Sequence, residues 1–202
     1  MRSRLLARVA AVPATVALIA TGGIGSSASA ATINGTNRAD EINGTNRADE
    51  IFAKGGSDTV VARAGNDKVF GADGRDRVRP GPGNDTVFAG DDKDSLRGGD
   101  GDDSLYGQRG RDVVGFSGQG ADSLYGGPSS DYVFGNQGND SLYPGRGADF
   151  AAGGYGNDSF HISRDGRRDV IDCGPGDDTV HANGGLGSMD TLQQCETVVR
   201  GG

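Results

Sequence analysis

The sequence predicts an all-β fold that is built from short repeated strands and contains no helix. An Asp recurs every nine residues over most of the chain, glycine supplies 38 of the 202 residues, and a large apolar residue usually stands two positions after each repeated Asp. Glycine at this density disfavours helix, and the sequence shows no 3.6-residue period. Only 34% of the residues are hydrophobic, so a conventional globular core is hard to build. We therefore expect an elongated repeat architecture.

Residues 1–30 have the pattern of a secretory signal peptide. Three arginines open the segment, an apolar stretch runs from about residue 9 to residue 24, and Ala28-Ser29-Ala30 forms an A-x-A cleavage site. A membrane anchor is the alternative, but Pro13 and two glycines interrupt the apolar stretch and leave it short for a span. We expect cleavage after Ala30 and a secreted, extracellular product with no membrane span.

The charge balance points to cations as partners. The formal net charge is −8, and removal of the three arginines of the signal peptide would make it more negative by three. An acidic chain repels phosphate, so we expect no nucleic-acid partner.

The nine-residue period runs through residues 33–160. Residues 33–41 and 42–50 are both INGTNRADE, and fourteen Asp from Asp40 to Asp158 keep one register with a single inserted residue before Asp122. Glycine usually stands two positions before the Asp. Each unit therefore predicts a glycine-rich turn, an Asp, and a three-residue strand with one inward apolar side chain.

These units resemble the hemolysin-type calcium-binding repeat, also called the RTX nonapeptide, GGxGxDxUx, in which U is a large apolar residue. GGDGDDSLY at 98–106 and GGYGNDSFH at 153–161 match it fully. The resemblance implies a right-handed parallel β-roll with two repeats per coil. It also implies several calcium ions, bound between neighbouring coils by the Asp and by backbone carbonyls. We expect a roll of about seven coils over residues 31–160 and a capping segment over residues 161–202.

The residue types also suit calcium without reference to the family. Calcium prefers six to eight oxygen ligands, glycine permits turns whose carbonyls converge, and Asp outnumbers Glu by 25 to 3. Asp can instead serve only to shape turns, but a column of stacked carboxylates would then be uncompensated.

With two repeats per coil, alternate Asp fall on opposite edges of the roll. Edge 1 is predicted to bind calcium more strongly, because each Asp keeps a glycine two positions before it. Its candidate ligands are Asp67, Asp85, Asp103, Asp122, Asp140 and Asp158, with the turn backbone at Gly65, Gly83, Gly101, Gly120, Gly138 and Gly156.

Edge 2 is predicted to bind calcium more weakly. Asp92 and Ser129 replace the glycine, while Arg75, Lys93 and Arg111 directly precede an Asp and either neutralise carboxylates or point into solvent. Arg38 and Arg47 replace the glycine in the first two repeats, which predicts an uncalcified cap. The candidate ligands of edge 2 are Asp58, Asp76, Asp94, Asp112, Asp131 and Asp149.

An aromatic ladder is predicted on one sheet, three residues after the Asp of edge 1. Its spacing of 18 residues, or 19 across the insertion, independently supports two repeats per coil. By strand alternation the rings face outward. They either stiffen the sheet or form a docking strip for a glycan, wall polymer or protein partner. The ladder comprises Phe52, Phe70, Phe88, Tyr106, Tyr125 and Tyr143.

Cys173 and Cys195 are the only cysteines. An even count in an exported chain predicts a disulfide, which would fasten the C-terminal segment over the last coil. Zinc binding together with His161 and His181 is the alternative, although no closely spaced ligand pair is present.

Catalysis is not indicated by the sequence. No G-x-S-x-G, HExxH, P-loop or C-x-x-C motif occurs, and the chain has only two histidines. We expect a calcium-binding structural or surface protein rather than an enzyme. The alternative is a binding or adhesion module that uses the aromatic ladder.

Overall fold

The fold is seen in a computed structural model, which describes residues 16–19, 30–116, 118–183, 186–187 and 190–200. These residues form two parallel ten-stranded sheets, and successive strands alternate between the sheets. The predicted signal peptide lies outside the described residues, except for Ala30 and one strand at 16–19.

Sheet A holds the odd-numbered strands in sequence order. They are β1 (Val16–Ile19), β3 (Asp40–Asn43), β5 (Thr59–Val61), β7 (Arg77–Arg79), β9 (Ser95–Leu96), β11 (Val113–Gly115), β13 (Tyr132–Gln137), β15 (Phe150–Tyr155), β17 (Val170–Asp172) and β19 (Thr191–Gln193).

Sheet B holds the even-numbered strands in the same way. They are β2 (Thr32–Asn34), β4 (Glu50–Phe52), β6 (Lys68–Asp73), β8 (Thr86–Asp91), β10 (Ser104–Arg109), β12 (Ser123–Pro128), β14 (Ser141–Arg146), β16 (Ser159–Ser163), β18 (Thr179–Asn183) and β20 (Thr197–Arg200).

The register follows the doubled repeat. Val69 of β6 pairs with Val87 of β8, and Val60 of β5 pairs with Val78 of β7, in each case 18 residues apart. Two nonapeptides therefore make one coil, and the fold is the parallel β-roll that the sequence predicts.

The core is a single file of apolar side chains between the sheets. The residue two positions after each repeated Asp is fully buried, as at Val60, Leu105 and Phe160. The strand pleat turns its two neighbours outward. A core this narrow explains how a chain with few hydrophobic residues folds, because each coil needs only two inward apolar residues at this position.

The roll is longer than the seven coils expected from residues 33–160. Strands β17–β20 continue both sheets, so the C-terminal segment adds coils, to a total of about nine turns. The extra residues lie in the turns, and the pairing resumes after them, as between Phe160 and Val180. Among the described residues, no helix could span a membrane.

Candidate metal sites along the two edges

The repeated Asp form one buried column along each edge of the roll. Every candidate Asp of edge 1 and edge 2 lies directly before a strand and is at most 3% exposed. Turns that lead into sheet B carry the edge 1 Asp, and turns that lead into sheet A carry those of edge 2. Burial of so many carboxylates in the described part of an acidic chain demands a compensating interaction.

One oxygen of each carboxylate links neighbouring coils. The backbone N–H of Asp67 donates to Oδ1 of Asp85 at 2.7 Å, and the N–H of Asp94 donates to Oδ1 of Asp112 at 2.8 Å. The same bond repeats coil by coil on both edges. The Asp therefore does help to organise the turns, as the alternative interpretation of the sequence required.

The other oxygen is buried and accepts no hydrogen bond from the described residues. A buried oxygen of this kind costs about 1–3 kcal/mol when it is unpaired. Such an Oδ2 is found at Asp58, Asp67, Asp76, Asp85, Asp94, Asp103, Asp112, Asp131, Asp140, Asp149, Asp158 and Asp178. Turn formation alone leaves these oxygens unexplained, whereas a cation would satisfy them.

Backbone carbonyls lie beside these oxygens, in space that glycine keeps open. A Cβ on Gly107 would lie 2.8 Å from Oδ2 of Asp112 and 2.6 Å from the carbonyl oxygen of Gly126 in the next coil. A Cβ on Gly71 would likewise lie 2.6 Å from Oδ2 of Asp76. A carboxylate oxygen and a carbonyl oxygen thus face a common region between two coils.

The donor chemistry fits calcium better than a transition metal. Within the described residues, no three Asp, Glu, His or Cys side chains converge on one point. A cation must therefore take most of its ligands from backbone carbonyls, and an all-oxygen donor set suits calcium. Zinc binding is disfavoured, because Cys173 and Cys195 form a disulfide and therefore offer no thiolate ligands.

Electrostatics at the two edges also favour a cation. Burial raises the pKa of Asp94 and of Asp103 to about 8, and repulsion from the Asp of neighbouring coils adds to this, against the lowering effect of the backbone hydrogen bond. Burial raises the pKa of Asp85 and of Asp140 to about 7. Without a cation these carboxyl groups retain protons near neutral pH.

The two edges present the same carboxylate geometry. Asp92 and Ser129 adopt φ values of 80° and 105°, so the edge 2 backbone follows the glycine conformation despite a side chain. Lys93 opposes the effect of burial on the pKa of Asp112, and Arg111 does so at Asp131. Their action is through space, because neither residue forms an ion pair with these carboxylates in the described part of the chain.

The first two repeats differ from the others. The backbone N–H of Thr45 donates to Oδ2 of Asp49 at 2.6 Å, and its hydroxyl lies 3.0 Å from both carboxylate oxygens. Thr36 makes the corresponding contacts with Oδ2 of Asp40. These threonines stand four residues before the Asp, at the position that Ala72 and Gln108 hold in later coils.

Four acidic residues beyond Asp158 belong to the columns and were not among the predicted sites. The N–H of Asp149 donates to Asp169 and that of Asp158 donates to Asp178. Asp190 and Glu196 accept in the same way at the end of each column. The pattern of acid, one residue, then an apolar residue marks all four positions, but insertions hide it from a fixed nine-residue count.

The aromatic ladder forms one continuous stack on sheet B. Ring centroids from Phe52 to Tyr143 are 4.5–5.4 Å apart, and the planes are within 12° of parallel. His161 and His181 extend the stack beyond the predicted residues. They stand three residues after Asp158 and Asp178, which is the signal that predicts the ladder. Because neighbouring rings cover each other's faces, the interior rings expose mainly their edges.

The disulfide joins two consecutive coils near the C-terminal end. Cys173 follows β17, Cys195 precedes β20, and their Cα atoms are 5.2 Å apart. Cys173 is fully buried and donates its N–H to the carbonyl of Gln193 at 3.0 Å. The bond thus lies in the turns that lead into sheet B.

Fold and site together define a parallel β-roll whose edges carry columns of buried carboxylates. A family model described as the RTX calcium-binding nonapeptide repeat matches residues 34–67, 43–78, 52–87, 79–114, 116–151, 143–161 and 165–186. These matches cover well over half of the chain, which therefore belongs to the RTX calcium-binding nonapeptide repeat family. A search of curated proteins returned no match.

Proposed function

We propose that the chain is a secreted, non-catalytic protein that binds several calcium ions along both edges and folds as it binds them. Membership of the repeat family gives the calcium-binding character. The observation that carries the proposal is the column of buried Oδ2 atoms that accept no hydrogen bond from the described residues.

Within each coil, the two oxygens of the Asp carboxylate have different roles. Oδ1 of the Asp accepts the N–H of the preceding coil, which holds the carboxylate in place, and Oδ2 and the turn carbonyls then face the space between coils. Calcium supplies the positive charge that removes repulsion within each column. Without it the acidic chain has little apolar surface with which to offset the loss of conformational entropy.

An extracellular role follows from the predicted signal peptide and suits the chemistry of the site. Extracellular modules bind calcium with dissociation constants of about 10⁻⁴–10⁻³ M. Cleavage after Ala30 would also remove β1, which pairs with β3 in sheet A. The released roll would then begin with β2 and β3. These strands lie in the two repeats where Thr36 and Thr45 donate hydrogen bonds to the Asp.

The test is far-UV circular dichroism of the chain as calcium and then magnesium are added at constant ionic strength. We expect a coil-to-β transition with calcium and a much weaker response to magnesium, which demands stricter octahedral geometry. Asp103→Asn should shift the midpoint to higher calcium. Asp73→Asn, an exposed Asp outside the columns, is the matched control and should leave it unchanged. A full β spectrum in chelator would overturn calcium-driven folding.

Docking through the aromatic ladder is a second candidate function. The half-buried rings and the Ser and Thr residues beside them on sheet B form a regular outward face, as at Ser104 and Tyr106. Stacking covers the ring faces that a sugar would need, so a partner would contact ring edges. A Tyr106→Ser, Tyr125→Ser variant that stays folded but loses a wall or glycan pull-down would support docking, and unchanged capture would leave the ladder with a stiffening role.

A further inference from the structure

Six exposed basic side chains lie together on sheet A and its turns, although the net charge of the chain is −8. They occupy three consecutive coils around β7, β9 and β11. We call this set the basic patch. It consists of Arg75, Arg77, Arg79, Lys93, Arg97 and Arg111.

The repeat arranges the patch in rows. Arg75, Lys93 and Arg111 are spaced by 18 residues, so they occupy the same turn position in consecutive coils, about 4.8 Å apart. Arg79 and Arg97 form a parallel row on the strands, one strand width from each other. Arg77 lies between the rows and pairs with Ser95 of the next strand.

Among the described residues, nearby carboxylates act on the patch through space, but no direct ion pair neutralises its cations. In the part of the chain that the structure describes, the ion pair is between Arg109 and Asp91, and none of the six patch residues takes part in it. Arg97 lies 5.7 Å from the centroid of Phe116 and Arg111 lies 5.3 Å from that of Tyr132, so ring contacts hold two of the cations in place.

A concavity of about 390 Å³ opens within the patch. Arg75, Arg77 and Lys93 line it together with Asp76 and Asp94, the buried carboxylates of edge 2. Calcium bound at these carboxylates would add positive charge directly beneath the patch.

We propose that the basic patch binds an anionic polysaccharide when the edge carboxylates carry calcium. This proposal rests on the calcium binding proposed above. Because linkage is reciprocal, the bound polymer should also strengthen calcium binding at edge 2, where Lys93 and Arg111 otherwise oppose it.

The spacing and surroundings favour a polysaccharide over a nucleic acid. The backbone positions that carry the cations repeat about every 4.8 Å from coil to coil, which is near the length of one sugar unit, whereas duplex DNA carries one charge per about 1.7 Å of its axis. The ring faces of Phe116 are engaged by Arg97 and Phe134, so they are not open for base stacking. Exposed Asp73, Asp91 and Asp92 on neighbouring turns would repel a denser polyanion.

Dextran sulfate is the probe, with neutral dextran and duplex DNA as comparison polymers, in calcium held in excess. The patch variant is Arg77→Gln, Arg79→Gln, Arg97→Gln. The matched control carries Arg146→Gln, Arg167→Gln, Arg168→Gln, which removes the same charge from exposed residues outside the patch. Circular dichroism in calcium is recorded for each protein, because it tests the calcium function separately from polymer binding.

We expect the unmodified chain to bind dextran sulfate, the patch variant to bind about tenfold more weakly with a shallower salt dependence, and the control to change by less than about twofold. Dextran sulfate should also lower the calcium concentration at the folding midpoint. Equal losses in both variants, stronger binding of duplex DNA, or no polymer binding by a calcium-folded chain would overturn the proposal. If calcium does not change the fold but the patch variant still binds dextran sulfate more weakly than the control, the calcium function is overturned and the patch remains the polymer site.

Discussion

Thr45 closes over the carboxylate of Asp49: its N–H donates to Oδ2 at 2.6 Å, and its hydroxyl lies 3.0 Å from both oxygens. In most later repeats, as at Asp58, Asp67 and Asp85, the corresponding Oδ2 accepts no such bond from the described residues. The chain therefore contains two kinds of coil, one in which threonine bonds to Oδ2 of the Asp and one that leaves this oxygen for a cation. The N-terminal coils should hold their shape without calcium and offer a folded edge on which the later coils can form.

Asp49→Asn should leave calcium binding almost unchanged, because Thr45 already occupies its carboxylate. Asp85→Asn should weaken calcium binding by about tenfold, equivalent to ~1.4 kcal/mol, since its Oδ2 has no other partner among the described residues. Isothermal titration calorimetry gives the stoichiometry and affinity of both variants. Equal losses would mean that the threonine does not replace the metal.

Ser129→Gly should stabilise the roll. Ser129 has a φ of 105°, which glycine adopts freely and a residue with a Cβ adopts at a cost. We expect a gain of about 1 kcal/mol in the free energy of unfolding, measured by urea denaturation in saturating calcium. Ser130→Gly is the control; φ there is not positive, so the added chain flexibility should lower stability. A loss in both variants would contradict the strain at Ser129.

In the absence of calcium, acid should stabilise the fold. Burial raises the pKa of Asp67 to about 6 and that of Asp94 to about 8, from 3.8. Carboxyl groups with a raised pKa in the folded state favour folding below about pH 4, and this contribution is lost as the pH rises toward 8. Far-UV circular dichroism in calcium-free buffer should therefore show a β signal near pH 4 that is lost as the pH rises toward 8.

Saturating calcium should reverse this trend, because the ion binds the deprotonated carboxylate. A calcium-free β signal that grows with pH over the same range would contradict the raised pKa values.

The strict Asp period was enough to predict the fold and the buried columns. The spacing places Asp67 and Asp85 one coil apart on the same edge, and the alternation of the strand turns Val69 inward. The C-terminal coils were harder to predict, because Asp158 and Asp178, and likewise Asp149 and Asp169, are 20 residues apart instead of 18. Pairing between strands tolerates such insertions in the turns, whereas a fixed period does not.

The spacing of the repeats could not show that a threonine side chain takes the place of a metal ion in the first two repeats. Arg38 and Arg47 mark the first two repeats as unusual, but the residues that act are Thr36 and Thr45. The hydroxyl reaches the carboxylate only because the turn folds back on itself, which is a three-dimensional relationship. Spacing predicted the outward ladder but not whether its rings expose their faces or their edges.

Edge 1 should contribute more calcium affinity than edge 2. The carboxylates of both edges have the same geometry, so the difference must come from charge and backbone strain around Lys93, Arg111 and Asp92. Substituting Asp85 and Asp103 by Asn should reduce calcium affinity about tenfold more than substituting Asp94 and Asp112, a difference of ~1.4 kcal/mol. Calcium titration followed by circular dichroism measures both, and equal losses would remove the asymmetry.

Reduction of the disulfide should loosen the C-terminal coils first. The Cys173–Cys195 bond closes a segment with a sequence separation of 22 residues, for which the chain-entropy relation gives about 3 kcal/mol. Hydrogen exchange of the amides in β17–β20 should accelerate in a Cys173→Ser, Cys195→Ser variant, while β6–β10 stay protected in calcium. A reducing agent should reproduce this in the unmodified chain and have no effect on the variant. Uniform acceleration along the whole roll would instead mean that the disulfide supports the entire stack of coils, because loss of the terminal coils would then spread through every interface between coils.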